Sequence, residues 1–460
     1  GPKPVEGDTR KLGKRKKISS EAQRNYLIIS DNFPLLKQRV TLKFKNLDYK
    51  YIRYPFDESL DKKVLYTEKD ITPINHSYAR GLKENTNKYR PWHICSMVDP
   101  LNDIKLYNSR ILNELERGAS SIEIKYINEK DSEDILQNID LSIAPIFYRD
   151  TENPIEGFIK FMNLIKNWEL KNNKTALAGL EIDTFALSFT KYRDNNKFAY
   201  SELINNFIKT ITENKDHSIN VLSFDGSIWN SLGSSLNQEI GLICLSFIEM
   251  VRNNLINDNT HLNFTISLNT DFFLNIAKIR SFRVIINNLY KHFSIKANFQ
   301  INARTDEGII FKESPWVNQL RITNAALSAA VANVDRLTCH HITNPLGQAP
   351  EFVRRLARNT HIILQEESNI GKIQDAAGGS FYIESITKSI ANKSFEFIKS
   401  VEKKGGILSL LEDNKFINKL TENKIKKKKM LDDKSLTRIG VNLYPDKIIK
   451  EINTKPYESF

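Results

Sequence analysis

The distribution of apolar residues changes near residue 92. From that point, short apolar runs rich in β-branched residues alternate with longer segments whose apolar positions recur every three to four residues. The runs are typical of strands, and the segments are typical of amphipathic helices. Several runs are apolar nearly throughout, as expected of strands that are buried on both faces. Eight strands are predicted, at 92–98, 120–126, 141–148, 175–182, 219–224, 263–269, 296–303 and 336–342.

Helical segments separate most of these strands, and the connection near 130–139 has the weakest pattern. Eight strand–helix units over about 280 residues match the size and period of a closed (β/α)8 barrel of the TIM type. An open, doubly wound sheet is the alternative, but no glycine-rich phosphate loop follows the first strand, which favours the barrel. The predicted helices include 154–170, 200–213, 235–255, 271–292, 316–332 and 350–368.

Four segments follow from this α/β pattern. Residues 1–25 are polar and basic with few apolar anchors, which predicts a disordered tail. Residues 26–91 are irregular and form an N-terminal extension that we expect to wrap the barrel or a partner. Residues 92–383 carry the barrel. Residues 384–460 continue with helical segments and end in a polar tail.

The net charge of +12 first suggests a nucleic-acid partner. Residues 1–24 carry eight Lys and Arg against three Asp and Glu, however, and the run 424–429 adds five lysines. The rest of the chain is nearly balanced, which indicates solvated charge runs and no nucleic-acid partner. No apolar run is long enough for a membrane span, and the basic N-terminal stretch has no apolar core after it, so no secretory signal is expected. The three cysteines show no zinc or disulfide spacing, so we expect a reducing, cytoplasmic location.

Candidate chemistry is sought at the carboxyl ends of the strands, where barrel enzymes place their active sites. These ends are polar but lack an obvious catalytic pair. Cys339, His340 and His341 resemble a metal cluster, yet adjacent strand residues point to opposite faces and the spacing fits no zinc pattern. No metal site is predicted. The residues at the predicted strand ends are Met97, Tyr126, Tyr148, Glu181, Asp183, Asp225, Asn269, Asn302, Arg304, His340 and His341.

Two further candidates lie outside the strand ends. Arg90, in "YRPW" before the first strand, could hold a phosphate group, although a surface ion pair is the simpler interpretation. Gln365, Glu366 and Glu367 end a predicted helix, where acidic residues oppose the helix dipole. A solvated position is the more frequent explanation for such residues.

A long motif adds a resemblance. "RLARNTHIILQEESNIGKIQDAAGGSFYIESI" (355–386) resembles the pattern R-x-A-R-N-T-Q, Q-E-E-S and D-P-x-G-G-S-Y-Y-x-E of the methylmalonyl-CoA mutase family, the adenosylcobalamin-dependent acyl-CoA mutases. "YRPW" (89–92), "IAKIRSFR" (276–283) and "GVNLYP" (440–445) resemble further family motifs. The resemblance covers about residues 30–446. It implies a barrel threaded along its axis by coenzyme A, with cobalamin capping the mouth.

The departures from the family pattern fall on the chemistry. Met97 stands where catalytic members have a tyrosine, and "NART" places Asn302 at their histidine and Arg304 at their glutamine. Glu181 and Ile182 precede Asp183 where the family has Q-N-D. An asparagine can donate a hydrogen bond but cannot transfer protons, and Met97 has no hydroxyl. The motif D-x-H-x-x-G of the cobalamin-binding domain is absent from the sequence, so no such domain is expected here.

These departures make the chain most similar to the small (β) subunits of heterodimeric mutases. The resemblance implies a non-catalytic subunit that binds no cofactor alone and that partners a larger catalytic α subunit, which would carry adenosylcobalamin and isomerise methylmalonyl-CoA to succinyl-CoA. Expressed alone, such a subunit is expected to form a homodimer or to aggregate. It also implies Arg90 as a coenzyme A contact, and Gln365, Glu366 and Glu367 on the cobalamin-facing rim. The alternative is a catalytic barrel of altered specificity whose cobalamin domain is a separate chain.

Overall fold

A computed structural model describes residues 52–54, 57–62, 66–70, 76–80, 91–125, 132–149, 154–192, 206, 209, 222–258, 260–445 and 451–459. The chain divides into two compact units, of which the first is Gly1–Arg53 with Asp61–Val64. The second unit is Tyr54–Leu60 with Leu65–Phe460, and it contains the eight strands described below. The predicted tail 1–25 and most of the extension 26–91 lie outside the described residues.

Eight parallel strands form a nearly closed barrel. The hydrogen-bonded order is β4-β3-β2-β1-β8-β7-β6-β5, so the last strand pairs with the first. Arg336 of β8 lies opposite His93 of β1 on one side and opposite Asn302 of β7 on the other. The (β/α)8 prediction is therefore confirmed. The strands are β1 His93–Val98, β2 Ser121–Ile124, β3 Ile146–Tyr148, β4 Ala178–Leu180, β5 Leu222–Asp225, β6 His261–Leu268, β7 Asn298–Thr305 and β8 Arg336–Thr338.

The two faces of each strand differ in chemistry. Apolar side chains point outward to the helices: Phe264 of β6, for example, stacks on Phe224 of β5 and contacts Phe282 of a surrounding helix. Because side chains alternate along a strand, the residues between them point to the barrel axis. Most of these inward residues are polar or charged, with Met97 of β1 and Phe147 of β3 as apolar exceptions, and most are as buried as the outward ones.

The barrel has a seam between β4 and β5, which form no strand pair in the described residues. Asp183, just after β4, lies across this seam. Its carboxylate accepts the backbone N–H of Asp225 at 2.7 Å, and those of Phe185 and Ala186 at 3.0 Å. A side chain thus joins two strands that the backbone ladder leaves apart.

Helices surround the barrel. Several begin at an aspartate or serine whose side chain caps a backbone N–H, such as Asp103, Asp271 and Ser380. The predicted helix 350–368 changes to a π-helical turn at Ile363–Glu367. The predicted helix 200–213 lies almost entirely outside the described residues. The helices are α1 His76–Arg80, α2 Ile104–Glu116, α3 Ser132–Ile135, α4 Pro154–Asn172, α5 Thr184–Tyr192, α6 Gly226–Ser231, α7 Leu236–Arg252, α8 Phe272–Phe293, α9 Pro315–Val331, α10 Glu351–Ile362, α11 Phe381–Glu402, α12 Gly406–Leu411 and α13 Asn414–Asp432.

Candidate functional site

An ion pair crosses the barrel axis on the side of the carboxyl ends of the strands. Arg304 of β7 holds Glu123 of β2 with both terminal nitrogens of its guanidinium, one of them 2.9 Å from Glu123 Oε1. Both side chains are buried. Burial alone would raise the pKa of Glu123, but the charge of Arg304 outweighs it and lowers that pKa to about 2. The Sδ atom of Met97 lies 3.5 Å from Arg304 Nη2.

A second ion pair fills the axis closer to the amino-terminal ends of the strands. Arg336 of β8 donates to Glu181, which follows β4, and Thr265 of β6 donates to the same carboxylate at 3.1 Å. The guanidinium of Arg336 lies over the ring of Phe147, 3.5 Å from its centroid. Gly179 makes room for this ring, because a Cβ atom there would lie 2.7 Å from it.

The mouth, at the carboxyl ends of the strands, carries its own pairs. Arg149 donates to Asp225 and, at 3.3 Å, to Ser227. His340 Nδ1 lies 3.0 Å from Thr305 Oγ1, and His340 Nε2 lies 3.2 Å from a carboxylate oxygen of Glu307. Burial lowers the pKa of His340, and the nearby Glu307 carboxylate only partly opposes this. Within the described residues, no group of three or more His, Cys, Asp or Glu side chains could hold a metal ion.

The structure brings four predicted site residues together. Met97, Glu181, Asn302 and Arg304 are all buried along the barrel axis. Two of them, Arg304 and Glu181, are held by opposite charges from other strands. Neither amide atom of Asn302 has a hydrogen-bond partner within the described part of the chain. Arg90 lies outside the described residues, so its role as a coenzyme A contact stays a prediction.

The other predicted group lies at the far end of the barrel. Gln365 donates from Nε2 to the carbonyl of Trp92, 2.8 Å away and immediately before β1. This is the amino-terminal end of the strands, opposite the mouth. Glu366 and Glu367 are exposed beside it. The resemblance led us to expect these residues on the cobalamin-facing rim at the mouth, and the observed position gives that role no support.

The motif residues instead form a structural cluster, called here the motif clamp. Its members are Arg280 of α8, Asp375 and Gly379 of the turn that precedes α11, and Glu384 of α11. Arg280 is fully buried and donates to both carboxylates. Glu384 also accepts the backbone N–H of Gly379 at 2.9 Å. Gly379 has φ +84°, which favours glycine. The turn thereby fixes the start of α11 against α8.

Comparison with known proteins identifies the family. The family model described as methylmalonyl-CoA mutase matches residues 188–459. The chain belongs to this family. The match includes the motif clamp, α10 and strands β5 to β8.

Individual relatives include small subunits and other mutase chains. The small subunit of methylmalonyl-CoA mutase from Propionibacterium freudenreichii subsp. shermanii is 25% identical over 83% of this chain and 61% of its own length. That from Streptomyces virginiae is 29% identical over 49% of this chain and 38% of its own length. The methylmalonyl-CoA mutase of Cereibacter sphaeroides is 28% identical over 49% of this chain and 33% of its own length. The chain thus spans less than two thirds of these relatives.

Sequence reasoning missed several residues that fill this mutase-family barrel. Glu123, Phe147, Arg149 and Arg336 were not singled out, although each lies in or next to a predicted strand. A charged residue inside a strand expected to be buried on both faces was the available clue, because such a charge needs a partner. Partners on opposite walls of a barrel are far apart in sequence: Arg304 and Glu123 are separated by 181 positions.

Proposed function

We propose that this chain is the small, non-catalytic subunit of a heterodimeric, adenosylcobalamin-dependent methylmalonyl-CoA mutase. The observation that carries the proposal is the filled barrel axis. Two buried ion pairs and the ring of Phe147 occupy the interior along which the family resemblance places coenzyme A. A catalytic barrel of altered specificity would need that path open.

Opening the path is energetically costly. Removing one partner of a buried ion pair typically costs about 3–5 kcal/mol, because the other charge is left uncompensated. An acyl-coenzyme A ligand passing along the axis would have to separate Arg304 from Glu123 and Arg336 from Glu181. The contacts with Met97 and Phe147 would also have to be broken. The binding of one ligand would therefore have to offset two such losses.

The residues at the family's catalytic positions support the same conclusion. Asn302 has an amide that does not titrate, and Met97 has a thioether already in contact with Arg304. His340 and His341 are buried, and burial lowers the pKa of His341 to about 4. His340 already lies against Thr305 and Glu307, so its ring nitrogens are occupied by protein contacts. We therefore expect the proposed larger chain to hold adenosylcobalamin and to supply its chemistry.

An outer surface supports association with a second chain. Trp316 of α9 stacks on Phe352 of α10 with ring centroids 5.7 Å apart, and both are substantially exposed. Leu320, one turn further along α9, is 70% exposed. Contiguous exposed apolar groups are typical of interaction sites. We expect the chain to bury this surface on a larger mutase chain or, when expressed alone, on a second copy.

The test combines activity with association. The purified chain, given adenosylcobalamin and methylmalonyl-CoA, should form no succinyl-CoA. Light scattering should show a one-to-one complex when a larger homologous mutase chain from the same source is added at micromolar concentration. A Met97→Leu variant should leave the activity of that complex within about twofold, since the side chain only packs here. Succinyl-CoA formation by the pure chain would favour the catalytic alternative. A chain that stays monomeric after the larger chain is added would refute the subunit role.

A further inference from the structure

Four inward side chains on neighbouring strands form what we call the inner polar cluster: Ser223 of β5, Asn263 of β6, Asn302 of β7 and Arg336 of β8. They are between 0% and 5% exposed. Seven of their polar atoms have no hydrogen-bond partner in the described part of the chain. These atoms are Ser223 Oγ, both amide atoms of Asn263, both amide atoms of Asn302, and Nε and Nη1 of Arg336.

The four side chains share one region of the barrel. Ser223 pairs in register with Asn263, and Asn302 pairs with Arg336. Their outward neighbours, including Phe224, lie in the apolar core, so alternation directs all four to the axis. A Cβ atom placed on Gly179 would lie 3.3 Å from Asn263 Nδ2 and 2.7 Å from the Phe147 ring that Arg336 covers. One member of each pair, Asn263 and Arg336, therefore approaches the same ring.

Seven unpartnered polar atoms in one buried place are unusual. Buried polar groups are nearly always hydrogen-bonded, and each one left without a partner costs about 1–3 kcal/mol. Stacking on Phe147 does not satisfy Arg336, because the ring contacts the guanidinium face and the N–H groups point outward from its edge. Glu181 accepts from Nη2 only, which leaves the Nε and Nη1 atoms available. The cluster therefore needs a further partner.

The donors decide which partner fits. Four of the seven atoms are nitrogens that only donate, two are amide oxygens that only accept, and the serine hydroxyl does either. Exchanging O and N of an asparagine leaves this excess of donors unchanged. A donor-rich group with one guanidinium edge suits an acceptor that carries negative charge. Because all four side chains are almost fully buried, they must move apart to admit a ligand, and a small ligand needs the least movement.

We propose that the inner polar cluster binds one small monovalent anion of halide size, held by Arg336, Asn302, Asn263 and Ser223. This anion site is independent of the proposed role as a subunit. The anion would fill the remaining part of the barrel axis and accept hydrogen bonds from the N–H groups that the ion pairs do not use.

The first test is thermal unfolding of the full chain at constant ionic strength, with potassium chloride replacing potassium gluconate. A bound anion stabilises the folded state by mass action. The midpoint should rise by about 1.5 °C for each tenfold increase of chloride above the dissociation constant. Asn302→Leu and the milder Ser223→Ala should weaken or abolish this dependence.

The matched control is Asn108→Leu, which removes a buried amide that donates to the carbonyls of Ile135 and Gln137 outside the barrel axis. It should lower the midpoint but keep the chloride dependence. A chloride-independent wild type would overturn the proposal. So would an Asn302→Leu variant that is more stable than the wild type in gluconate and chloride alike, because that is the behaviour of a dry, unpartnered amide.

The second test locates the anion. Crystals of the chain grown in sodium bromide should give an anomalous difference peak within about 3.5 Å of Arg336 Nη1 and of an Asn302 or Asn263 amide nitrogen. A crystal that shows only water at this position, with bromide absent, would refute the anion site.

Discussion

The barrel interior and the motif clamp are both built from buried arginine–carboxylate pairs, but they stand in different relations to the family. The clamp consists of motif residues that this chain shares with the family, and Arg280, Asp375 and Glu384 hold α8 to α11 there. The interior pairs, Arg304–Glu123 and Arg336–Glu181, include positions where the chain departs from the catalytic pattern. In this chain the residues that match the family motifs make contacts between helices, and the departures that the resemblance indicates lie in the barrel interior.

The largest effect is expected in the clamp. Replacing Arg280 by methionine removes the fully buried guanidinium that pairs with Asp375 and Glu384, which should lower the free energy of unfolding by about 3–5 kcal/mol. Urea denaturation measures this loss. The control is Arg252→Met, because Arg252 is 48% exposed in its pairs with Glu249 and Glu402 and should cost less than about 1 kcal/mol. Equal losses for the two variants would show that the clamp is not a stability element.

A second prediction separates the interior from the clamp. Glu123→Gln leaves Arg304 without its countercharge and should cost about 3 kcal/mol. The double variant Glu123→Leu/Arg304→Met should recover most of this loss, because a well-packed apolar pair often equals a buried ion pair in stability. If the double variant lost as much free energy of unfolding as the two single variants together, the view that these residues only fill the barrel axis would be contradicted.

The smallest expected effect is a pH dependence at the seam. Burial raises the pKa of Asp183 to about 7, against the opposing effect of its backbone hydrogen bonds. The folded state then binds more protons than the unfolded state between about pH 4 and pH 7, so this group makes stability fall as pH rises through that range, by at most about 1.4 kcal/mol per unit. Urea denaturation from pH 5 to pH 8 should show this fall as a difference between the wild type and Asp183→Asn.

Other titrating groups do not obscure that comparison. Glu123 affects stability only at lower pH, where its carboxylate takes up a proton. The buried His341 and His361, whose pKa values are lowered to about 4 and about 3, make stability rise with pH, but they are present in both proteins. Identical pH profiles for the wild type and Asp183→Asn would show that the seam carboxylate does not titrate near neutrality.

The fold could be predicted because each strand and helix has its own pattern of apolar residues in the nearby sequence. The period of strand–helix units in the sequence was sufficient for the barrel, and the helix at 271–292 appears at Phe272–Phe293. The interior could not be predicted in the same way. Whether Arg304 meets Glu123 or another carboxylate depends on strand tilt and on rotamers across the barrel, which no local pattern encodes. The position of Gln365 followed from α10 running back to the amino-terminal end of β1.

The seam at Asp183 has a consequence for how the barrel moves. Seven of the eight strand contacts in the described residues are continuous backbone ladders, and the eighth depends on one carboxylate. Local opening of a folded protein begins where the fewest hydrogen bonds must be broken together. In amide hydrogen exchange, the N–H of Asp225 should therefore exchange sooner than those in the β8–β1 ladder. Solvent would then reach the axis through the side wall of the barrel, between β4 and β5, before it enters at the mouth.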